Sequence, residues 1–162
     1  MDKKIIISIK EKKNKKENQK FENKDFLFNM NNHILIINKL FLDESFKGDK
    51  FVERELKKKI SSYKQQDIRK KKYSSSTFIN KNELIEKLVI SKLKCHYCRQ
   101  RVLLLYDLTR DDTQWTLDRI DNNVQHSNEN CVISCLKCNL QRRCLDDKKF
   151  LFTKQMKIIK KF

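Results

Sequence analysis

The chain has 162 residues, enough for one ordinary domain or for a compact domain with an arm. It carries 38 Lys and Arg against 21 Asp and Glu, and the net charge of +17 favours a polyanionic partner over an acidic protein patch or a small molecule. Nucleic acid is the leading candidate. A chain rich in Lys and Asn can also reflect an AT-rich genome, so composition alone leaves that alternative open.

Hydropathy and cysteine usage predict a soluble, intracellular protein of the nucleus, cytoplasm or virion. No apolar run approaches the ~20 residues that cross a bilayer, so we expect no membrane association. The opening MDKKIIISIK has an apolar run too short for a signal peptide, so we expect no secretion. The six cysteines are then better interpreted as reduced, metal-binding thiols than as disulfides.

The first part of the chain is basic and mainly helical in its patterning. Residues 1–20 are rich in Lys and poor in apolar residues, which favours a mobile basic arm over a short strand. Aromatic and branched residues return over 21–46, enough for a small packed unit, but they form no chemical motif. We assign that unit no activity.

Residues 50–73, KFVERELKKKISSYKQQDIRKKKY, predict a basic amphipathic helix. Val52, Leu56, Ile60 and Tyr63 recur at helical spacing. The Lys-rich face is either an ordinary solvated face or a surface that contacts a nucleic-acid backbone. Under the second interpretation the contacting residues are Lys57, Lys58 and Lys59.

Small polar residues place a domain boundary after this helix. Ser74, Ser75 and Ser76 form the small-polar cluster, so we expect an accessory region over 1–76 and a second domain over 77–162. A helix should begin near Asn80, because Asn80 followed three residues later by Glu83 is typical of a capping box.

Two Cys-x-x-Cys pairs in the second domain predict a metal site. Cys95 with Cys98, and Cys135 with Cys138, provide four thiolates that can close a tetrahedral site around Zn²⁺ with no open position. Such a site is structural and not catalytic. Two such pairs rarely occur together by chance, so this signal is strong.

The residues around the second Cys pair predict two strands followed by a helix. VLLLY at 102–106 is a first β-run, and a strand from Trp115 ends at Asp118. A polar loop follows, then a returning strand over 130–133 and a helix that begins near Asn139. A last helix is expected from about Asp146, with acidic residues in its first turn and basic residues in its last.

Four features follow one another along the chain: LDRID at 117–121, a loop His, an Asn that opens a strand, and C-x-x-C-N. This order resembles the HNH (ββα-metal) nuclease family. The similar members are the zinc-containing variants of phages and large DNA viruses. The resemblance covers roughly the second half of the chain. It implies an α+β fold with a small ββα-metal module, and a metal-dependent endonuclease that cleaves DNA, with RNA as a possible substrate.

The resemblance also implies roles for individual residues. Asp118 and Asn139 would hold a catalytic Mg²⁺ or Mn²⁺ between them, since both offer hard oxygen ligands. Asn130 would fix the loop by hydrogen bonds. Basic residues at Arg119, Arg142 and Arg143 would contact the nucleic acid.

The sequence departs from the family at the catalytic base. The family His that follows the acid is replaced by Arg119, which does not give up its proton at ordinary pH. Three interpretations remain: His126 serves as base or extra metal ligand, a water held by Asp118 or Asp121 serves instead, or catalysis is lost. In the third case the chain is a zinc-stabilised nucleic-acid-binding protein.

Overall fold

The computed structural model describes residues 24–156, which form the predicted α+β fold. The basic arm expected over 1–20 and the last residues of the chain lie outside the described part. The elements in chain order are α1 (Lys24–Phe28), a 3-10 turn (Met30–Asn32), α2 (His33–Phe41), α3 (Asp49–Arg69), α4 (Lys81–Ile90), β1 (Trp115–Arg119), β2 (Cys131–Cys135), α5 (Leu136–Arg142) and α6 (Asp147–Gln155). None of these helices is long and apolar enough to cross a bilayer.

Gly48 makes the turn into α3 possible. Its φ of +101° lies in the left-handed region, where an L side chain is strained. A Cβ at this position would also lie 2.6 Å from the Leu27 Cδ1 atom. The single glycine of the chain therefore stands where both the backbone conformation and the packing exclude other residues.

His33 is a core residue that ties the N-terminal helices to the second half of the chain. Its Nε2 atom lies 3.1 Å from the Leu27 carbonyl oxygen, and the Leu104 amide donates to its Nδ1 atom at 3.0 Å. Nδ1 is an acceptor, so Nε2 carries the proton and the ring is neutral. Burial lowers the pKa of His33 to about 4, since the charged ring would lose its hydration.

We expect His33 to make folding acid-sensitive. Its pKa is lower in the folded state than the ~6.5 of an exposed His, so its contribution is complete above about pH 6.5 and is lost as the pH falls towards 4. The loss is about 3 kcal/mol. Urea unfolding of the wild type and of His33→Gln at about pH 7.5 and about pH 4.5 measures it. A wild type that loses no more stability than His33→Gln would contradict this account.

The predicted capping box begins α4. The Asn80 side chain accepts from the Glu83 amide at 3.0 Å, and the Glu83 carboxylate accepts from the Asn80 amide at 2.8 Å. The amphipathic helix predicted over 50–73 is α3, which ends at Arg69. The local sequence patterns therefore predicted the positions of both helices.

β1 and β2 form a two-stranded antiparallel sheet within the described residues. Asp118 pairs with Val132, and Arg119 pairs with Cys131. The β-run predicted at 102–106 is wrong, because these residues make a single isolated bridge, from Leu103 to Gln114, and no strand. The helix predicted to begin near Asn139 begins earlier, at Leu136, so Asn139 lies inside α5.

Both sides of the predicted boundary at residue 76 contribute to one continuous core. Buried side chains from α2 and α3, such as Ile36 and Leu56, belong to the same cluster as Leu88, Trp115 and Cys138. Hydrogen bonds also cross the boundary, for example from the Leu117 amide to the Tyr63 hydroxyl at 3.0 Å. The helix α3 is therefore packed against the site described next.

Candidate functional site

The four predicted cysteines converge into one cluster. Their sulfur atoms all lie within 4.8 Å of one another, and Cys98 Sγ lies 3.9 Å from Cys135 Sγ. A tetrahedral zinc ion with bonds of about 2.3 Å separates its sulfurs by about 3.8 Å. The four-cysteine cluster, Cys95, Cys98, Cys135 and Cys138, can therefore hold a metal ion such as zinc.

The surroundings of the cluster lower the pKa of the Cys95 thiol but raise the pKa values of the Cys135 and Cys138 thiols. The Cys138 amide, in the first turn of α5, donates to Cys135 Sγ at 3.4 Å. The hydrogen bond with Cys135 lowers the pKa of Cys95 to about 4, despite its burial, and correspondingly raises that of Cys135. A divalent cation would stabilise all four thiolates together, which is the usual basis of a Cys₄ site.

A second candidate site is an open groove of about 690 Å³ at the edge of β1. We call it the β1 groove. Its walls come from the end of α3, the end of β1, the loop 121–130 and α5. The predicted residues that line it are Asp118, Arg119, His126, Asn139 and Arg143. Lys70 and Lys72 also line it, so cations outnumber the one carboxylate.

A buried carboxylate from α3 orients His126 in this groove. Asp67 is fully buried, and its Oδ2 atom lies 2.8 Å from His126 Nδ1 and 2.8 Å from the His126 amide nitrogen. Arg119 donates from Nη1 to the other oxygen, at 3.3 Å. Since Nδ1 donates to a carboxylate, the Nε2 atom of the neutral ring presents a lone pair.

His126 is held neutral at ordinary pH. Burial lowers its pKa below the ordinary value, and the hydrogen bond and charge of Asp67 only partly offset that effect. The Tyr63 ring packs at 4.7 Å between centroids and helps to fix the imidazole. Among the described residues Nε2 has no hydrogen-bond partner, so the ring can accept a proton from a group in the groove.

Asp118 is engaged by an arginine. Arg142 donates from Nε to Oδ2 at 2.6 Å and from Nη2 to Oδ1 at 2.9 Å, and the Tyr97 hydroxyl lies 2.7 Å from Oδ2. The Arg142 side chain also donates to the Arg119 carbonyl. Both carboxylate oxygens of Asp118 are thus used inside the protein, and a cation already stands beside them.

We expect this pair to matter for stability. Asp118→Ala should cost about 3–5 kcal/mol of unfolding free energy, because it leaves the Arg142 guanidinium buried without its counter-charge. Adding Arg142→Met should recover part of that loss by removing the buried cation. Denaturant unfolding of the two variants measures both changes. Equal stability of Asp118→Ala and the wild type would show that the pair is unimportant.

The two asparagines of the motif make different hydrogen bonds, Asn130 within the loop 121–130 and Asn139 between α5 and β1. Asn130 accepts from the Asp121 amide at 2.9 Å and donates to the carbonyls of Asp121 and Gln125 at 2.9 and 3.0 Å. These hydrogen bonds close the loop 121–130. Asn139 donates to Thr116 Oγ1 at 3.1 Å, and so joins α5 to β1.

The basic residues predicted to contact nucleic acid differ in their exposure. Arg143 is exposed in the β1 groove, whereas Arg142 is 1% exposed and bound to Asp118. Arg119 is largely buried against Asp67. Arg119 still lines the groove, with only a small part of its side chain exposed.

The three α3 lysines do not line the groove. Lys57 and Lys58 pair with Glu53 and Glu55 on their own helix, at 3.6 and 2.7 Å. Lys59 lies 4.2 Å from the Trp115 ring centroid and donates to the Trp115 carbonyl. The Lys59 side chain therefore joins α3 to β1 by a cation–π contact.

The sequence interpretation did not name Lys70 and Lys72, which line the groove, or Asp67, which is buried behind His126. Asp67 is an acid among many Lys residues of α3, and it occupies the buried face of an otherwise polar helix end. A helical projection from Val52 and Leu56 puts Asp67 near that apolar stripe, which was the available signal. An acidic side chain that is buried on an apolar stripe needs a hydrogen-bonding or oppositely charged partner.

No protein-family model matches this chain, and comparisons with curated proteins and with solved structures gave no match. The HNH resemblance therefore stays a prediction that depends on the motif residues themselves.

Proposed function

We propose that this chain is an HNH-like endonuclease that binds DNA, or alternatively RNA, in the β1 groove and cleaves a phosphodiester bond there. The observation that carries the proposal is that His126 lines a basic groove and is hydrogen-bonded to the buried carboxylate of Asp67. The order of β1, β2 and α5, with the cysteine cluster at their junction, is compatible with a ββα module.

The chemistry of the proposed site follows from the contacts of His126. Asp67 accepts the Nδ1 proton, so Nε2 is available to take a proton from the attacking water or hydroxyl. The lowered pKa keeps the imidazole unprotonated at neutral pH, as a base requires. Lys70, Lys72 and Arg143 are placed to neutralise phosphate charge along the groove. In this proposal Asp67 is the positioning residue.

A catalytic divalent ion between Asp118 and Asn139 does not fit the contacts of these residues. The two Asp118 oxygens accept from Arg142, whose guanidinium occupies the place of a cation. Mg²⁺ or Mn²⁺ would have to displace that arginine or bind elsewhere in the groove. The proposed roles of the protein groups therefore do not include a step at such an ion.

The second candidate is a zinc-stabilised nucleic-acid-binding protein without catalysis. The Asp118–Arg142 pair favours it, because it converts the residue implied as a metal ligand into part of a buried ion pair. Under this candidate the groove cations bind phosphate, and the Asp67–His126 pair fixes the loop 121–130 to α3.

The experiment that separates the two is incubation of supercoiled plasmid with purified, zinc-loaded protein, with and without added Mg²⁺ or Mn²⁺. Conversion to nicked or linear forms supports the endonuclease. A gel shift without conversion under every ion condition supports the binding protein. Chelators are left out, since they would also extract metal from the cysteines. A protein that neither shifts nor cuts nucleic acid would contradict both candidates.

A further inference from the structure

A second basic groove, of about 500 Å³, lies at the outer edge of β2. We call it the β2 groove. Its floor includes Val132 and Ile133, and the end of α4 forms one wall, where Ile90 is 71% exposed. The cations that line it are Lys87, Lys92, Lys94 and Arg99. No carboxylate is among the described residues that line it.

The described residues do not neutralise the charge of the β2 groove. None of its four cations has an ion-pair partner among residues 24–156, whereas Lys57, Lys58 and Lys81 are all paired with glutamates on α3. Lys87 is in the last turn of α4, where the helix dipole favours a cation. Lys92 and Lys94 lie beyond that helix, so the dipole does not account for the cluster as a whole.

The two grooves flank the same pair of strands. Leu117, Asp118 and Arg119 line the β1 groove, and their cross-strand partners in β2 line the β2 groove. Neighbouring strands are about 4.8 Å apart, so the distance between the grooves is on the order of 10 Å. One nucleic-acid molecule is long enough to reach both.

We propose that the β2 groove binds a second stretch of the phosphate backbone of the nucleic acid that occupies the β1 groove. This inference depends on the nucleic-acid binding proposed above. Clustered, unpaired cations repel one another, and an extended polyanion that passes through both grooves relieves the repulsion in each. A nucleic-acid backbone is favoured over an acidic polypeptide because it would be continuous between the two grooves.

The test is the salt dependence of binding to a DNA duplex, measured by fluorescence anisotropy. Each phosphate contact contributes roughly 0.9 to the slope of log affinity against log salt. Lys92→Ala/Lys94→Ala should therefore lower the slope by about 2. The matched control is Lys24→Ala/Lys81→Ala, which removes the same charge from two ion-paired positions outside both grooves and should leave the slope unchanged.

A third variant, Lys70→Ala/Arg143→Ala, reports on the β1 groove and keeps the two proposals distinguishable. If it lowers the slope while Lys92→Ala/Lys94→Ala does not, the β2 groove is not a contact and only this inference is overturned. A wild type with no salt-dependent binding overturns the proposed function and the inference together. Unchanged DNA binding by Lys92→Ala/Lys94→Ala, with weakened binding of polyglutamate, would assign the groove to an acidic protein.

Discussion

Removal of metal from the four-cysteine cluster should unfold the chain. The cluster joins the turn after α4 to the end of β2 and the start of α5, and three of its thiols are buried in the continuous core. A structural zinc contributes on the order of 10 kcal/mol to folding, and a domain of this size is stable by only about 5–15 kcal/mol. Loss of the metal therefore removes most of the stability.

The measurement is circular dichroism during titration with a strong chelator, together with elemental analysis of the untreated protein. We expect one zinc per chain and a cooperative loss of helix as zinc is extracted. Cys138→Ser should be metal-poor and unfolded or nearly so. Cys144→Ser, which changes an exposed thiol outside the cluster, should behave as wild type. A folded, metal-free wild type would contradict the structural role.

Loss of His126 should reduce cleavage by ~10²- to 10⁴-fold if His126 is the general base. His126→Gln is the sharper variant, because its amide can still donate to Asp67 but cannot accept a proton in the pH range of the assay. Single-turnover cleavage of plasmid at saturating protein measures the effect. Zinc content and unfolding midpoint show whether the variant is folded.

The pH dependence tests the same base independently. A base works in its neutral form, so the rate falls as the pH drops through the pKa. Burial lowers that pKa, and we therefore expect full activity at pH values where an exposed His, with a pKa of about 6.5, would already be protonated. His126→Gln should lack this acid limb.

Asp67→Asn tests the positioning role. The carboxylate raises the pKa of His126, so its neutralisation should move the acid limb to lower pH as well as reduce the rate. A purely structural Asp67 would change stability without moving the limb. Cleavage that is indifferent to His126 would instead move the base to a water near Asp118 or Asp121. Lys24→Ala, which removes an ion-paired lysine outside both grooves, is the control that should leave the profile unchanged.

The features that the sequence determined by itself are those that depend on neighbours along the chain. The capping box at Asn80, the helical periodicity of α3 and the spacing within each Cys-x-x-Cys pair are local patterns, and both helices and the cysteine cluster were found where predicted. The metal cluster was also predictable, since four thiols have few alternative roles in a reduced protein. Local free energies of capping and periodic burial suffice for these elements.

The contents of the β1 groove were decided by tertiary structure. Asp67 meets His126 across 59 positions of sequence, and Arg142 meets Asp118 across 24. A carboxylate in this motif can bind a metal or an arginine, depending on the side chain that tertiary packing brings beside it. The charges and spacings along the sequence do not contain that information. The same holds for Lys59, whose ammonium lies over Trp115 because α3 packs on β1. Burial then sets the pKa of His126, and burial is a property of the assembled core alone.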